Sequence, residues 1–302
     1  MNRSVFIKVC TAGLASAAVP VNAAGLPDAV LGILTDCQYA DIPTPPKVQR
    51  FYRDSPRRLK EAITHLNSMK DVGAMFHLGD AIDQKEGSYD VVMPIFKTAS
   101  VPVHHIAGNH DYSVADTNKS KVGQYLGLKN LHYSLKMNGW KIIMLDGNEL
   151  SLFSTPAKSP GWQKATRYKA AAKRKLADHT GGIGPEQLTW LKSELAAAHR
   201  AKERVIIMCH YPLLPLDGHA LWNAEEVLAA IDAVPGTVAA WFNGHNHAGS
   251  YQLNKGVHYL NFRGMVETPQ NAYARVELRQ DRLEVTGFGR EPSRVLRLRP
   301  HA

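Results

Sequence analysis

Short apolar runs recur along the chain, and most stop at a polar residue able to hold a metal ion. AVLGILTDCQ is bounded by Asp36, AMFHLGD ends at Asp80, VPVHHIAGNHD at Asn109 and His110, RVIIMCH at His210, and TVAAWFNGHNH at His245 and His247. Runs of about four to eight residues rich in Val, Ile, Leu and aromatics predict buried strands. Segments with helical spacing lie between them, at Pro56–Lys70, Pro185–Arg200 and Asn223–Ala230. Pro185 suits a first helical turn, where its missing N–H costs nothing. The alternation predicts a layered α/β domain, and sites in such sheets form outside the carboxyl ends of the strands. The runs LHYSLKM, WKIIMLD, VHYLNF, AYARVEL and RLEVTGF, separated by turns such as Asn138-Gly139 and Asn254-Lys255-Gly256, predict antiparallel strands and hairpins. The sheet content is therefore expected to be mixed.

With 302 residues and 44% apolar content, the chain has enough material for a sizeable core. Its first residues carry Arg3 and Lys8, then an apolar stretch to Val19 and small residues after it, which predicts a secretory signal peptide over 1–23 and a secreted or periplasmic protein. The apolar run is short for a bilayer span, and no other segment is long and uncharged enough to make one. Without Arg3 and Lys8, the 36 Lys+Arg become 34 against 27 Asp+Glu, a formal charge of +7 that favours anionic partners. The segment 154–182 concentrates seven of these cations (Lys158, Lys164, Arg167, Lys169, Lys173, Arg174, Lys175) against Asp178 alone. It reads as a solvated helical insertion, with a basic lid over a phosphate-bearing ligand as the sharper alternative. Cys37 and Cys209, beside Gln38 and His210, read as small buried residues facing away from any metal. Two such thiols do not make a disulfide scaffold.

Singly, none of the polar residues after the apolar runs would decide a function. Together, Asp36, Gln38, Asp80, Asn109, His210, His245 and His247 all follow predicted strands, and all are hard or borderline metal ligands. Side chains two apart on extended backbone project the same way. The spacing thus predicts Asp36 with Gln38, and His245 with His247, as jaws about 6–7 Å wide, suited to two metals roughly 3.5–4 Å apart. Carboxylates, imidazoles and amides without a thiolate select Mn, Fe, Zn or Mg over copper or a cluster. By the same alternation, Asn109 turned toward a metal leaves His110 turned toward a substrate.

The ordered set DCQ, GD, GNHD, a His after an apolar strand, and GHNH resembles the calcineurin-like metallophosphoesterase superfamily, whose pattern is D-x-H, G-D-x-x-D, G-N-H-D/E, H and G-H-x-H. Gln38 replaces the first histidine. With RFYRDS, HLGDAIDQ, AGNHD, IIMLDGNELS, GGIGPEQLTWL, WFNGHNHAGSY and GMVETP, the chain is similar nearly end to end to the manganese-dependent ADP-ribose/CDP-alcohol diphosphatases. The resemblance implies a four-layer αββα sandwich of two mixed sheets flanked by helices, forming a single domain over 24–302. It implies two divalent ions, manganese foremost, with Asp36, Gln38, Asp80 and His247 on one and Asp80, Asn109, His210 and His245 on the other. It further implies that metal-activated hydroxide cleaves the phosphoanhydride bond of compounds such as ADP-ribose, CDP-choline or CDP-glycerol. His110 would steady the charge on the transferred group or protonate the leaving oxygen, with Asp111 orienting it. Arg50, Tyr39 and Asn109 would face the substrate, the guanidinium of Arg50 suiting a phosphate. Between DCQ and RFYR this chain has the short IPTPPKVQ, where the family carries a longer segment with an aromatic residue. An exported location is a second departure.

Within the superfamily, the neighbouring reading is a phosphodiesterase acting on cyclic nucleotides or glycerophosphodiesters. Purple acid phosphatase chemistry needs a tyrosine three residues after the bridging aspartate, where Asp83 stands. A metal-dependent nuclease would draw on the basic charge. The cations, however, concentrate in the insertion and the tail (Arg290, Arg294, Arg297, Arg299) without interleaved aromatics, so a small phosphorylated molecule rather than nucleic acid is the expected partner. The full ligand set with His110 argues against a catalytically dead binding module. The sequence carries no signal for an oligomeric state.

Overall fold

The computed structural model describes residues 27–47 and 49–300, so the expected leader over 1–23 lies outside the described residues. The first half of the chain forms β1 (Ala29–Leu34), α1 (Ser55–Ser68), β2 (Ala74–His77), α2 (Tyr89–Phe96), β3 (Val103–His105), α3 (Val122–Tyr125), β4 (Tyr133–Met137) and β5 (Trp140–Met144). The second forms α4 (Pro160–Ala171), α5 (Pro185–Arg200), β6 (Arg204–Met208), α6 (Ala224–Asp232), β7 (Val238–Asn243), β8 (Ser250–Asn254), β9 (Val257–Asn261), β10 (Ala272–Leu278), β11 (Arg282–Gly289) and β12 (Arg294–Arg297).

Two six-stranded sheets result, in the orders β12-β11-β10-β1-β2-β3 and β4-β5-β6-β7-β9-β8. Strands β1, β2 and β3 run parallel, as do β5, β6, β7 and β9, while the outer pairs are antiparallel. Both sheets are mixed, as expected. The runs WKIIM and VHYLN are paired on both sides in opposite senses: β5 is antiparallel to β4 but parallel to β6, and β9 antiparallel to β8 but parallel to β7. The hairpins turn where the sequence indicated. Asn138-Gly139 and Lys255-Gly256 both take positive φ, as two-residue turns matching strand twist require.

Strands β1, β2, β5, β6 and β7 are buried at every position, because both faces of each sheet are covered. Leu31, Ile33 and Phe76 meet Ile142, Ile206, Met208 and Phe242 between the sheets. Leu59, Ile63 and Leu66 of α1 with Val92 and Phe96 of α2 cover the outer face of the first sheet. Leu188, Leu191 and Leu195 of α5 with Val227 and Ile231 of α6 cover the second. The layers are therefore helix, sheet, sheet, helix. An apolar run covered on both faces shows no alternation, which is why these strands read as continuous hydrophobic blocks.

The parallel strands are also in register at their carboxyl ends. Leu34 pairs with His77, His77 with His105, and Met208 with Phe242. Segments 35–38, 78–80, 106–110, 209–210 and 243–247 thus leave the two sheets at one level, and that is where the chemistry gathers.

The basic insertion is only partly helical: α4 spans Pro160–Ala171, and the rest returns as irregular chain. Ala165 and Leu176 pack with Leu150 and Trp222, the Trp222 indole N–H donates to Ala177 O at 3.0 Å, and Arg174 donates to Leu221 O at 2.8 Å. Most of its cations face outward, as a solvated insertion would have them, but its end is tied to the loop before α6.

Candidate metal centre

The segments leaving β1, β2, β3, β6 and β7 bring all seven ligand-type residues together. Side-chain ligand atoms of Asp36, Asp80 and His247 lie within 4.8 Å of one another, and so do those of Asp80, His210 and His245. Asp80 is common to both groups. Asn109 Oδ1 stands 3.3 Å from His210 Nε2 on one side, and the Gln38 amide lies 2.9 Å from Asp80 Oδ2 and 3.2 Å from His247 Nε2 on the other. The result is two adjoining ligand sets sharing one carboxylate, the partition the resemblance implies.

The backbone achieves this differently from the expected extended jaws. Asp36, Gln38, Asp80 and His245 have φ of 52°, 45°, 58° and 69°. This left-handed region is sparsely used by residues other than glycine. Asn109 is likewise not extended: with φ −69° and ψ −36° it opens a 3-10 turn over His110–Tyr112. Gly244 has no positive φ; its role is close approach. A Cβ there would lie 2.1 Å from Thr35 Oγ1 and 2.5 Å from Asp36 Oδ2, so only a glycine lets β7 reach the end of β1. At Gly108 a Cβ would lie 2.1 Å from Asp80 Oδ1.

The donors that fix these ligands are local and specific. His210 Nδ1 faces Leu78 O at 2.8 Å, leaving Nε2 toward Asp80 at 3.2 Å. His247 Nδ1 pairs with Glu267 Oε2 at 2.6 Å, leaving Nε2 3.3 Å from Asp36 Oδ1. One ring nitrogen held by an oxygen and the other free to ligate is the usual way a metal-binding histidine is oriented. Asp36 also accepts from the backbone N–H of His245 at 3.2 Å, joining the two sheets at the site.

Charge is concentrated here. Burial alone would raise the Asp80 carboxyl, but His210, His110 and His245 around it hold it well below the usual carboxylate range. Burial likewise opposes protonation of His210 and His247, yet the carboxylates of Asp80 and Asp36 win, lifting both imidazoles to about 9. Burial, then the positive charge of His210, drives His245 the other way, well below its ordinary value. Paired acids and imidazoles in so small a buried volume need strong compensation, which two divalent ions would provide. Gln38 supplies a further test of fit. Its buried Oε1 has no hydrogen-bond partner among the described residues. Exchange of amide oxygen and nitrogen by a half-turn would aim that oxygen at Asp80 and His247, as a shared cation requires.

Two expectations are corrected. Asp111 does not orient His110. Its buried carboxylate accepts from the backbone N–H groups of Asp80, Ala81 and Gly108 at 2.8, 3.0 and 2.8 Å, and so clamps the β2 and β3 turns together. Burial and Asp80 raise it to about 7. The partner of His110 is Asp83, whose carboxylate contacts Nδ1 directly. Burial would lower His110, but Asp80 and Asp83 raise it above its ordinary value. Tyr39 packs with the apolar cluster outside the first sheet and lines a groove of about 290 Å³ with Asp41, Gln84 and Lys85, away from the carboxylate–imidazole cluster. Arg50 is near the site, with Nε 3.9 Å from Glu267 Oε2, and it feels Asp83 as well. Cys37 and Cys209 are free, buried thiols; Cys37 Sγ donates to Ala81 O at 3.0 Å.

Two useful residues went unread in the sequence. Asp83 is the last letter of G-D-x-x-D, and Glu267 stands in GMVETP; in both cases the motif was visible but the partner, far along the chain, was not. Buried Arg58 donates to Phe51 O at 2.7 Å, Met265 O at 2.8 Å and Thr268 O, holding the segments that carry Arg50 and Glu267 against α1.

Comparison with known proteins agrees with this geometry. The bovine manganese-dependent ADP-ribose/CDP-alcohol diphosphatase is 28% identical over 316 residues, covering 89% of this chain and 94% of that protein. Its namesake from Arabidopsis thaliana is 26% identical, covering 87% and 94%. The crystal structure of a dimetal phosphatase from Danio rerio superposes with a TM-score of 0.80 at 25% identity, covering 90% of this chain and all of that one. The calcineurin-like phosphoesterase family profile matches residues 30–249, a span that holds all seven clustered ligand-type residues. The chain therefore belongs to the calcineurin-like phosphoesterase family.

Proposed function

We propose that this protein is a metal-dependent phosphohydrolase that cleaves the phosphoanhydride bond of nucleoside diphosphate-linked molecules such as ADP-ribose and CDP-alcohols. The observation that carries the reading is the pair of ligand sets sharing Asp80, with Gln38 among them. The likeness to relatives named for that activity, over 89% of this chain in the bovine case and 88% in the human one, supports the substrate class. Asp36, Gln38, Asp80 and His247 would hold one ion, and Asp80, Asn109, His210 and His245 the other. Two divalent ions, manganese in the named relatives, would supply Lewis acidity and an activated water. His110, whose proton affinity Asp80 and Asp83 raise against burial, is the group placed to give a proton to the departing oxygen. Arg50 offers a guanidinium to the substrate's phosphate.

With manganese present, purified protein should turn over ADP-ribose or CDP-choline faster than bis(p-nitrophenyl) phosphate, p-nitrophenyl phosphate or single-stranded DNA. Turnover of the diester with none of either diphosphate compound would favour the phosphodiesterase reading instead.

We also propose that the protein is exported after loss of residues 1–23. No helix among the described residues is long and apolar enough to cross a membrane. Mass spectrometry of protein recovered outside the cytoplasm should give an N-terminus near Ala24; an intact Met1 would sink the idea.

A further inference from the structure

His245 has a second side. His179, at the end of the basic insertion, stacks on it with ring centroids 5.3 Å apart at 25°, and His219 meets both rings edge-on at 5.5 and 5.6 Å. Side-chain nitrogens of the three lie within 4.8 Å of one another. Two of them, His245 Nε2 and His219 Nδ1, are buried with no hydrogen-bond partner among the described residues, while His179 is exposed. The pair is held in place. The His219 backbone N–H donates to Asp217 Oδ1 at 2.8 Å, and the chain before His179 is tied to the chain after His219 through Trp222 to Ala177 and Arg174 to Leu221. Nothing in the reading of the metal centre uses His179 or His219.

Three imidazoles can hold a metal ion or face an anion, and electrostatics separates these. A third cation would have to share His245 with the neighbouring ion, next to a second divalent ion and within the field of Arg50 and His110, so like charges oppose it. The same surroundings attract an anion. An imidazole keeps at least one N–H in either charge state, so His179 and His219 can each donate to a phosphoryl oxygen.

We propose that His179 and His219 form a subsite for the second phosphoryl group of a diphosphate substrate, the one not held by the two metal ions. This rests on the diphosphatase reading above. In that reaction one water is consumed, and its oxygen joins the attacked phosphorus. The bridging P–O bond breaks, and the bridging oxygen leaves with the bonding electrons on the second phosphoryl group. The water's protons end on the two phosphate monoesters or in solvent. N–H donors on the second group stabilise the charge it gains on leaving. The basic insertion is then a fixed wall of the site that tells a diphosphate from a monophosphate.

The test is calorimetric binding of inorganic phosphate and of non-hydrolysable methylenebisphosphonate to the manganese-loaded full chain, for wild type and for His179→Ala, His219→Ala and the double variant. Wild type should prefer the bisphosphonate by at least about tenfold, and each substitution should remove about tenfold of its affinity. Phosphate affinity should move by about twofold or less and metal content, read by elemental analysis, should stay at two. Glutamine at either position, which keeps an N–H donor, should restore part of the preference. An unchanged preference in the double variant overturns the proposal. So does an equal loss for both anions, or a third equivalent of zinc that binds wild type and disappears in the variants. If wild type shows the preference but turns over no diphosphate compound, the subsite stands and the substrate reading fails.

Discussion

Replacing His110 by alanine should lower kcat by about 10²- to 10⁴-fold while both metal ions stay bound. Among the described residues the ring has no hydrogen bond or ion pair with a clustered ligand; Nδ1 is paired with Asp83, and the hydrogen bond to Asp80 comes from the His110 backbone N–H at 2.8 Å, which alanine keeps. Truncation thus removes a proton donor and leaves Asp80 where it was. Substrates with good leaving groups need that proton less, so the loss should be smaller for a p-nitrophenyl ester than for CDP-choline. Elemental analysis alongside kinetics checks both halves. Loss of a metal ion together with activity would mean that His110 is a ligand or supports one.

Removing the divalent ions should abolish turnover and lower Tm by roughly 5–10 °C for each site that had been saturated about 100-fold over its Kd. Asp80→Asn should do both irreversibly, since one carboxylate serves both ligand sets. The binding should also be steeply pH-dependent, with a sign set by the imidazoles. His210 and His247 stay protonated up to about 9 because Asp80 and Asp36 outweigh the burial that opposes it. A metal must displace those protons. Below pH 9 the apparent affinity should therefore fall by about tenfold per pH unit for each histidine deprotonated, and adding manganese near neutral pH should acidify a weakly buffered solution. Affinity that is flat between pH 6 and 8 would contradict this.

Much of this site was legible in the sequence, for reasons that also explain what was not. A strand covered on both faces leaves an unbroken apolar block, and the polar residue ending each block marks the carboxyl edge of a sheet. Asp36, Asp80, Asn109, His210 and His245 could be gathered that way without knowing the topology. The period of two, however, describes extended chain and stops applying at the edge. Asp36, Gln38 and His245 sit in left-handed turns, so the extended jaws expected from the spacing do not form. Contacts joining separate segments were beyond reach. His110 finds Asp83 across the β2 and β3 turns, His247 finds Glu267 after β9, and His179 meets His245 across the two ends of the insertion's frame. No local pattern encodes such pairs; the register of the parallel strands does.

The four left-handed residues carry one more implication. Each costs roughly 1 kcal/mol relative to a relaxed backbone, and the surrounding fold must hold that strain whether or not an ion is present. Glycine at position 38 or 245 would relieve it while discarding a ligand. In the metal-free chain that relief favours glycine, whereas bound ions stabilise only the armed site, so the same few positions are pulled opposite ways according to whether metal is present.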